Sequence, residues 1–522
     1  MSVVWFKRDL RVVDHEPLVR AAEAGPVIGL YVYEPEVIDA AEHDGCHLRF
    51  VNQSLAELRE ALRGLGGELI LARGEVTGVL DRLREAVAFD GLWSHEETGL
   101  GATYERDKRV KAWAKRRGVR WVELPQHGVV RVLKTRDGWA KKWLKRMAVA
   151  PFAKPTRIEP WPAEAMGGIA VGEILDEASL GVEASTKTEA QPGGREVGLD
   201  LLGSFLTERG RDYQRAMSSP VEGEWACSQM SPHLAYGTVS LREAHHAAQG
   251  RLLELKGKRG EATEWRRSVN SFAKRLRWQS HFIQKLEDEP AIEFRNMHRA
   301  YDGLREEDLR QWTDRDHQRF EAWCAGRTGY PMVDACMRCL HRTGWINFRV
   351  RAMLMSFASY HLWLHWRHTA PFLARQFLDF EPGIHYSQCQ MQSGTTGINT
   401  VRIYSPIKQA LDQDPEGVFI RRWVPELERM PVEYLSQPER CPEMTQAMAG
   451  CVVGEDYPGP VVDHKEAYRE AQRRMFAVRG SAAARRESKR VYLKHGSRKR
   501  PGDRRMPSGD DRGGATEQVD VA

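Results

Sequence analysis

The sequence predicts two folds in series, an α/β domain with a parallel, Rossmann-like sheet and then an all-α domain. Three observations carry this. At 522 residues the chain is longer than one hydrophobic core normally supports. Its first 130 or so residues alternate short apolar runs with helix-length segments. From about Leu199 to Arg479 helical periodicity dominates with no strand series.

In the first part, Val3 to Phe6, Val27 to Tyr33, Glu68 to Ala72, Gly91 to Ser94 and Val119 to Leu124 read as strands. Between them, Leu48 to Leu65 places Phe50, Val51, Leu55, Leu58 and Leu62 at helical spacing, and Tyr104 to Arg117 reads as a more basic helix. Strands that alternate with helices pair in parallel, because each crossover needs a helix to return the chain. The first strand-to-helix turn, Phe6 to Arg11 (FKRDLR), has no glycine-rich phosphate cradle, so a nucleotide there would need another grip. A Pro-rich stretch, Ala150 to Pro162, and the linker-like Glu183 to Arg195 (EASTKTEAQPGGR) end this part. The expected division is an α/β domain over 1–135, an interdomain linker over 136–198, a helical domain over 199–479, and a basic, disordered tail over 480–522. Thr263 to Leu286, Tyr330 to Leu340 and Phe348 to Leu364 are the clearest helices of the second domain.

Composition excludes several classes. Apolar residues at 41% and charged residues at 29% describe an ordinary globular chain, not a disordered one. Eight scattered cysteines and an opening that is charged by Lys7 argue for a reducing compartment, so a cytoplasmic protein is expected. No run of eighteen apolar residues is present, which argues against a membrane span. The net charge of +6 resides in the tail: Arg485 to Arg505 holds ten Lys/Arg and two acids, or +8, leaving 6 − 8 = −2 for the remainder. Such a segment supplies sequence-blind, salt-sensitive affinity for nucleic acid, or else is simply a solvated end.

Six segments share one further property. Val3 to Arg11 (VVWFKRDLR, then Asp14), Ser228 to Ser240 (SQMSPHLAYGTVS), Ala322 to Leu340 (AWCAGRTGYPMVDACMRCL), Thr343 to Arg351 (TGWINFRVR), Arg402 to Pro406 (RIYSP) and Gly417 to Leu427 (GVFIRRWVPEL) resemble the photolyase/cryptochrome family in order and spacing, up to about residue 475. The resemblance implies FAD in the helical domain, a second antenna chromophore of folate or deazaflavin type, and DNA carrying pyrimidine dimers as the partner of a monomeric protein. It implies light-dependent repair, in which reduced FAD gives one electron to a flipped-out dimer and recovers it after the bonds split. A photoreceptor of the cryptochrome kind, without repair activity, is the alternative.

For the cofactor, the resemblance points to Tyr213, Ser228, Met230 and Ser231 near the diphosphate, Trp345 in the pocket wall, an Arg351–Asp379 pair beside the flavin ring, and Glu381 at its edge. The residues themselves add that Ser228, Ser231 and Pro232 suit a helix start, which serves an anion or plain capping equally well. For catalysis it points to Trp278 as the aromatic that stacks on the lesion, Arg275 where the family has a carboxylate, and Trp366 with Trp312 on the outer electron path. Gln279 replaces a usual basic residue, and Cys389 and Met391 stand near the places of two usual tryptophans, with Tyr386, Trp363 and Trp345 as substitutes. Phe348 and Ala352 fall where a histidine pair marks enzymes for the (6-4) photoproduct, with His281 and His385 as stand-ins. Some bacterial relatives hold a four-cysteine iron–sulfur cluster, but Cys336-x2-Cys339 with Cys441-x9-Cys451 does not repeat its spacing, so no metal is expected.

Overall fold

The computed structural model describes residues 1–162, 166 and 169–496. Strands β1 (Ser2–Phe6), β2 (Val27–Tyr33), β3 (Leu69–Arg73), β4 (Gly91–His95) and β5 (Arg120–Leu124) form one parallel sheet in the order β3-β2-β1-β4-β5. These are the apolar runs expected from the sequence. In the register, Trp5 lies opposite Leu30 and Gly91 opposite Arg120. Both sheet faces are covered, as parallel sheets require. On one face Val4, Phe6 and Leu69 pack with Leu18 of α1 (Glu16–Ala24) and Leu55 and Leu58 of α2 (Gly45–Gly64). On the other, Val3, Trp5 and Leu92 pack with Leu80 of α3 (Val76–Ala86) and Trp113 of α4 (Gly101–Arg117).

Two expectations of domain organisation need correction. The stretch 136–198 is no loose linker. It carries α5 (Trp139–Met147) and then returns over the sheet, where Val27 N–H donates to Glu159 O at 2.9 Å and Leu71 N–H to Val171 O at 2.8 Å. Ile158 and Trp161 enter the two sheet cores. Pro and Gly prevent repetitive structure there, yet extended backbone still satisfies its hydrogen bonds against the sheet. The tail, likewise, begins later than 480: Ala482–His495 is a helix, α13 below, with Val491 and His495 fully buried. The run Arg498 to Arg505 lies outside the described residues.

The second domain contains α6 (Leu241–Glu254), the 28-residue α7 (Glu261–Asp288), α8 (Pro331–Thr343), α9 (Phe348–Ser356), α10 (Trp366–Gln376), α11 (Pro382–Gln392), α12 (His464–Arg479) and α13 (Ala482–His495). The helix expected over Phe348 to Leu364 stops at Ser356 and continues as one π-helical turn, Phe357–His361; Trp363 then takes a left-handed backbone, φ 61°. Its core surrounds Trp323, Met353, Leu354 and Trp366, all inaccessible to solvent. Among the described residues no helix is long and apolar enough to cross a membrane.

Helices α7 and α11 touch so closely at Gly383 that a Cβ there would lie 2.5 Å from the Cα of Ile283. Gly383→Ala should therefore force the helices apart and destabilise the helical domain by about 1–3 kcal/mol, the usual range for overpacking. Urea unfolding followed by circular dichroism checks it, and an unchanged midpoint would contradict this packing.

Candidate active site

The turn after β1 joins the two domains. Arg8 donates from Nε to Ala235 O at 2.9 Å and from Nη2 to Phe380 O at 2.5 Å, while Arg11 Nη1 donates to Gly237 O at 2.9 Å. Asp14 accepts Ser240 Oγ at 2.6 Å and pairs with Arg242 at 3.1 Å. Beneath these lies a buried group: Asp9 Oδ2 receives His15 Nε2 at 2.9 Å and His95 Nδ1 at 2.7 Å. These three are the only His/Cys/Asp/Glu set with ligand atoms close enough for a metal among the described residues. The hydrogen bonds argue against that use. His15 Nδ1 accepts the Leu18 N–H at 3.1 Å, so its proton sits on Nε2, the very atom a metal would need. The cysteines do not assemble either; Cys336 and Cys339 are buried inside α8.

The remaining expected site residues lie in the helical domain but around two packed cores, Trp312 and Trp366 belonging to the second. Tyr213, Cys227 and Met230 share one buried cluster, and Trp345 packs against it. Arg209 fixes the approach to this wall, donating to Trp225 O at 3.0 Å, to Ser228 O and Leu201 O at 2.9 Å, and to Cys227 O. Gln229 then takes a left-handed turn, φ 59°, into the short helix Ser231–Ala235, with Ser228 Oγ accepting the Met230 N–H at 3.4 Å. A single turn has little macrodipole, so the positive field comes from side chains rather than from the helix start the sequence suggested. Burial pushes the Cys227 thiol up to about 12 even though the guanidiniums of Arg275, Arg209 and Arg351 pull it down.

Arg275 is turned inward. It donates to Ser271 Oγ at 3.1 Å, touches Met217 Sδ at 2.8 Å and lies 5.6 Å above the Tyr213 ring, so its charge serves the wall shared with Cys227. One turn on, Trp278 is half-buried, stacked on Phe282 at 5.5 Å and edge-on to His281 at 5.1 Å. Burial holds His281 well below the ordinary histidine range, hence neutral. On the far side, Arg351 pairs with Asp379 at 2.8 Å and lies over Phe377 at 4.4 Å, and Glu381 is 3.6 Å from Arg8. His385 is buried, and its Nε2 donates to Ala370 O at 2.8 Å. Trp366 is fully buried, donating to Asn296 Oδ1 at 2.7 Å, and Trp312, 9% exposed, belongs to the same core. Their rings do not touch; His365 and His368 stand between them.

Sequence reasoning missed Asn347. Its Nδ2 donates to Met217 O at 3.0 Å and Ser219 O at 3.1 Å, while its buried Oδ1 has no partner in the protein. A buried acceptor left open at a site wall calls for a donor from outside the chain. Its signal was weak, an Asn at a helix start, where capping explains it equally well.

Residues 272–477 match the FAD binding domain of DNA photolyase, and residues 2–156 match the DNA photolyase model. Cryptochrome-1 of Arabidopsis thaliana is 30% identical over 508 residues, 92% of this chain and 72% of that protein. The chain belongs to the photolyase/cryptochrome family. Cryptochrome DASH of Gloeobacter violaceus is 29% identical over 486 residues, 88% of this chain and 93% of that one. Among solved structures, a class III photolyase from Agrobacterium tumefaciens superposes with a TM-score of 0.76 at 27% identity, covering 92% of this chain and 98% of that one. Residues of this photolyase/cryptochrome domain suit FAD: guanidiniums near a hydroxyl-lined turn for a diphosphate, aromatic walls for flat rings, and the open Asn347 Oδ1 for an N–H.

The buried histidines make this architecture acid-sensitive. Burial lowers His15, holds His95 down to about 3, and lowers His385 and His127 to about 4. Each binds its proton less readily folded than unfolded, so the stability is complete above the ordinary histidine pKa of about 6.5 and is lost as pH falls from there toward the folded values. The urea midpoint should fall steadily between pH 6.5 and 4, and His95→Asn should flatten part of that slope. A midpoint independent of pH across this window would contradict neutral burial.

Proposed function

We propose that the chain is a light-dependent DNA repair flavoprotein that splits pyrimidine dimers. The observation that carries this reading is the pairing of a cation and an aromatic ring on one stretch of α7. Arg275 lies over the Tyr213 ring at the cofactor wall, and Trp278, one turn on along the same face and likewise half-buried, offers a flat indole stacked on Phe282. Reduced FAD, when bound, supplies light-driven one-electron chemistry. The chain's own residues bind, orient and exclude water. Tyr213, Ser228, Met230 and Ser231 hold the diphosphate side, with the charge of Arg275. Trp345 and Asn347 line the ring pocket, and Arg351, balanced by Asp379, favours a reduced, negatively charged ring. Glu381, braced by Arg8, ties that edge to the α/β domain. The indole of Trp278 stacks on a base drawn out of the duplex. His281 beside it is neutral and can accept or donate a hydrogen bond without adding charge.

One observation favours the alternative, a cryptochrome-like photoreceptor. Glu289, directly after α7, holds α13 through His495 at 2.6 Å and Lys494 at 3.1 Å. The helix that carries Trp278 and Arg275 thus leads straight to a docked C-terminal segment, the arrangement a light-triggered release would use.

The two readings separate on purified, flavin-loaded protein with chemically reduced flavin. Incubated with oligonucleotides bearing a cyclobutane dimer or a (6-4) photoproduct, it should restore bases in light and not in darkness. Trp278→Ala should weaken lesion binding by about tenfold or more, since stacking one base on an aromatic contributes about 1–3 kcal/mol. Restoration of neither lesion, on single or double strands, would remove the repair reading and leave photoreception.

A further inference from the structure

A file of rings leads from the site to the surface of the helical domain. His385 contacts Tyr386 at 5.4 Å between centroids, Tyr386 contacts Trp366 at 6.2 Å, Trp366 contacts His365 at 5.8 Å, and His365 reaches Trp312 through His368 at 6.5 and 5.0 Å. One member differs from the rest. The Tyr386 hydroxyl donates to Glu42 Oε1, a carboxylate supplied by the α/β domain. Trp366 donates only to the amide oxygen of Asn296, and an amide does not take up a proton. Cys389, one turn along α11 from His385, has a buried thiol and no ring.

We infer that Tyr386 and Glu42 form a proton-coupled electron donor to the flavin. Tyr386 gives one electron to a light-excited, oxidised isoalloxazine, and its O–H bond breaks as the proton passes to Glu42, leaving a neutral tyrosyl radical hydrogen-bonded to a carboxylic acid. The isoalloxazine gains the electron, so charge and atoms balance. A dissolved thiol restores the electron by way of Trp312 and Trp366 and leaves as a thiyl radical and a proton, two such radicals from two turnovers joining as a disulfide, and the proton held on Glu42 returns to the phenol. The pair is built for this order of events. Burial and the Glu42 charge both hold the phenol protonated in the ground state, so no proton moves until the electron has left. The acceptor is already in hydrogen-bond contact, the geometry a proton transfer requires. Glu293, which accepts the Gly101 N–H at 2.7 Å, is pushed up to about 7 by burial with the Glu42 charge added. Positive charge on Trp366 has no such exit, and it therefore settles on Tyr386.

The inference rests on the flavin chemistry of the proposed function, not on repair, and its test contains no DNA. The full-length protein loaded with oxidised FAD is illuminated with a thiol present, and flavin reduction is followed by absorbance and the radical by electron paramagnetic resonance. A neutral tyrosyl signal is expected, with reduction several-fold slower in D2O. Tyr386→Phe should abolish that signal and slow reduction at least tenfold; Glu42→Gln should slow it and remove the solvent isotope effect, both at unchanged flavin content. If Tyr386→Phe fails to retain flavin, the Glu42→Gln variant carries the decision. A tryptophanyl radical cation in the parent, unaltered kinetics in Glu42→Gln, or no photoreduction at all would overturn the assignment.

Discussion

Everything in this molecule hangs on the ionic turn between β1 and α1. Lys7, Arg8, Asp9, Arg11 and Asp14 follow the central strand of the sheet, and the structure buries nearly all of that charge. Unpaired, such burial would cost several kcal/mol per ion; it is tolerable only because each group meets a partner. Lys7 lies between Glu97 and Asp107, Asp9 between two imidazoles, and Arg8, Arg11 and Asp14 against backbone and side chains of 235–242. Partners from both domains are needed, so the turn cannot be satisfied by the α/β domain alone. The absence of a glycine-rich cradle is explained by the same fact: the crevice at the strand ends, where such sheets commonly hold a nucleotide, is here the socket of the helical domain.

That docking sets the geometry of the site. Arg8 reaches the carbonyl of Phe380, between Asp379 and Glu381, and so positions the segment that bears the Arg351 partner. Glu42, from the loop before α2, reaches Tyr386 across the same interface. The two domains therefore do not merely sit side by side. The helical domain carries the FAD-binding region, and the α/β domain supplies Arg8 and Glu42, which hold Phe380 and Tyr386 across the interface.

How much of this could be read in the sequence follows from physics. Strand positions were legible because a parallel sheet buried on both faces demands continuous apolar runs, and β1 to β5 fall on them. The helical domain was legible from periodicity and from six motifs in order, but its ends were not: α13 is rich in Arg and Lys and looks solvated until Val491 and His495 find a covered groove. The stretch after α5 failed for a related reason, since Pro and Gly content says that a segment is irregular, not that it is unpacked. Within the site, the family resemblance implied the Arg351–Asp379 pair, but no spacing could show that Arg275 turns toward Tyr213 and Met217. Side-chain direction on a long helix is decided by what faces it.

The inward turn of Arg275 also resolves what its charge does. Set against Tyr213 and Cys227, it joins Arg209 and Arg351 in a positive wall, while Trp278 packs with the buried Phe282 and the neutral His281, and Lys285 lies over the Phe282 ring at 4.6 Å. Arg275 and Trp278, three residues apart, share one face of α7, so a cation held by its buried partners and an aromatic ring stand side by side on a single rigid element.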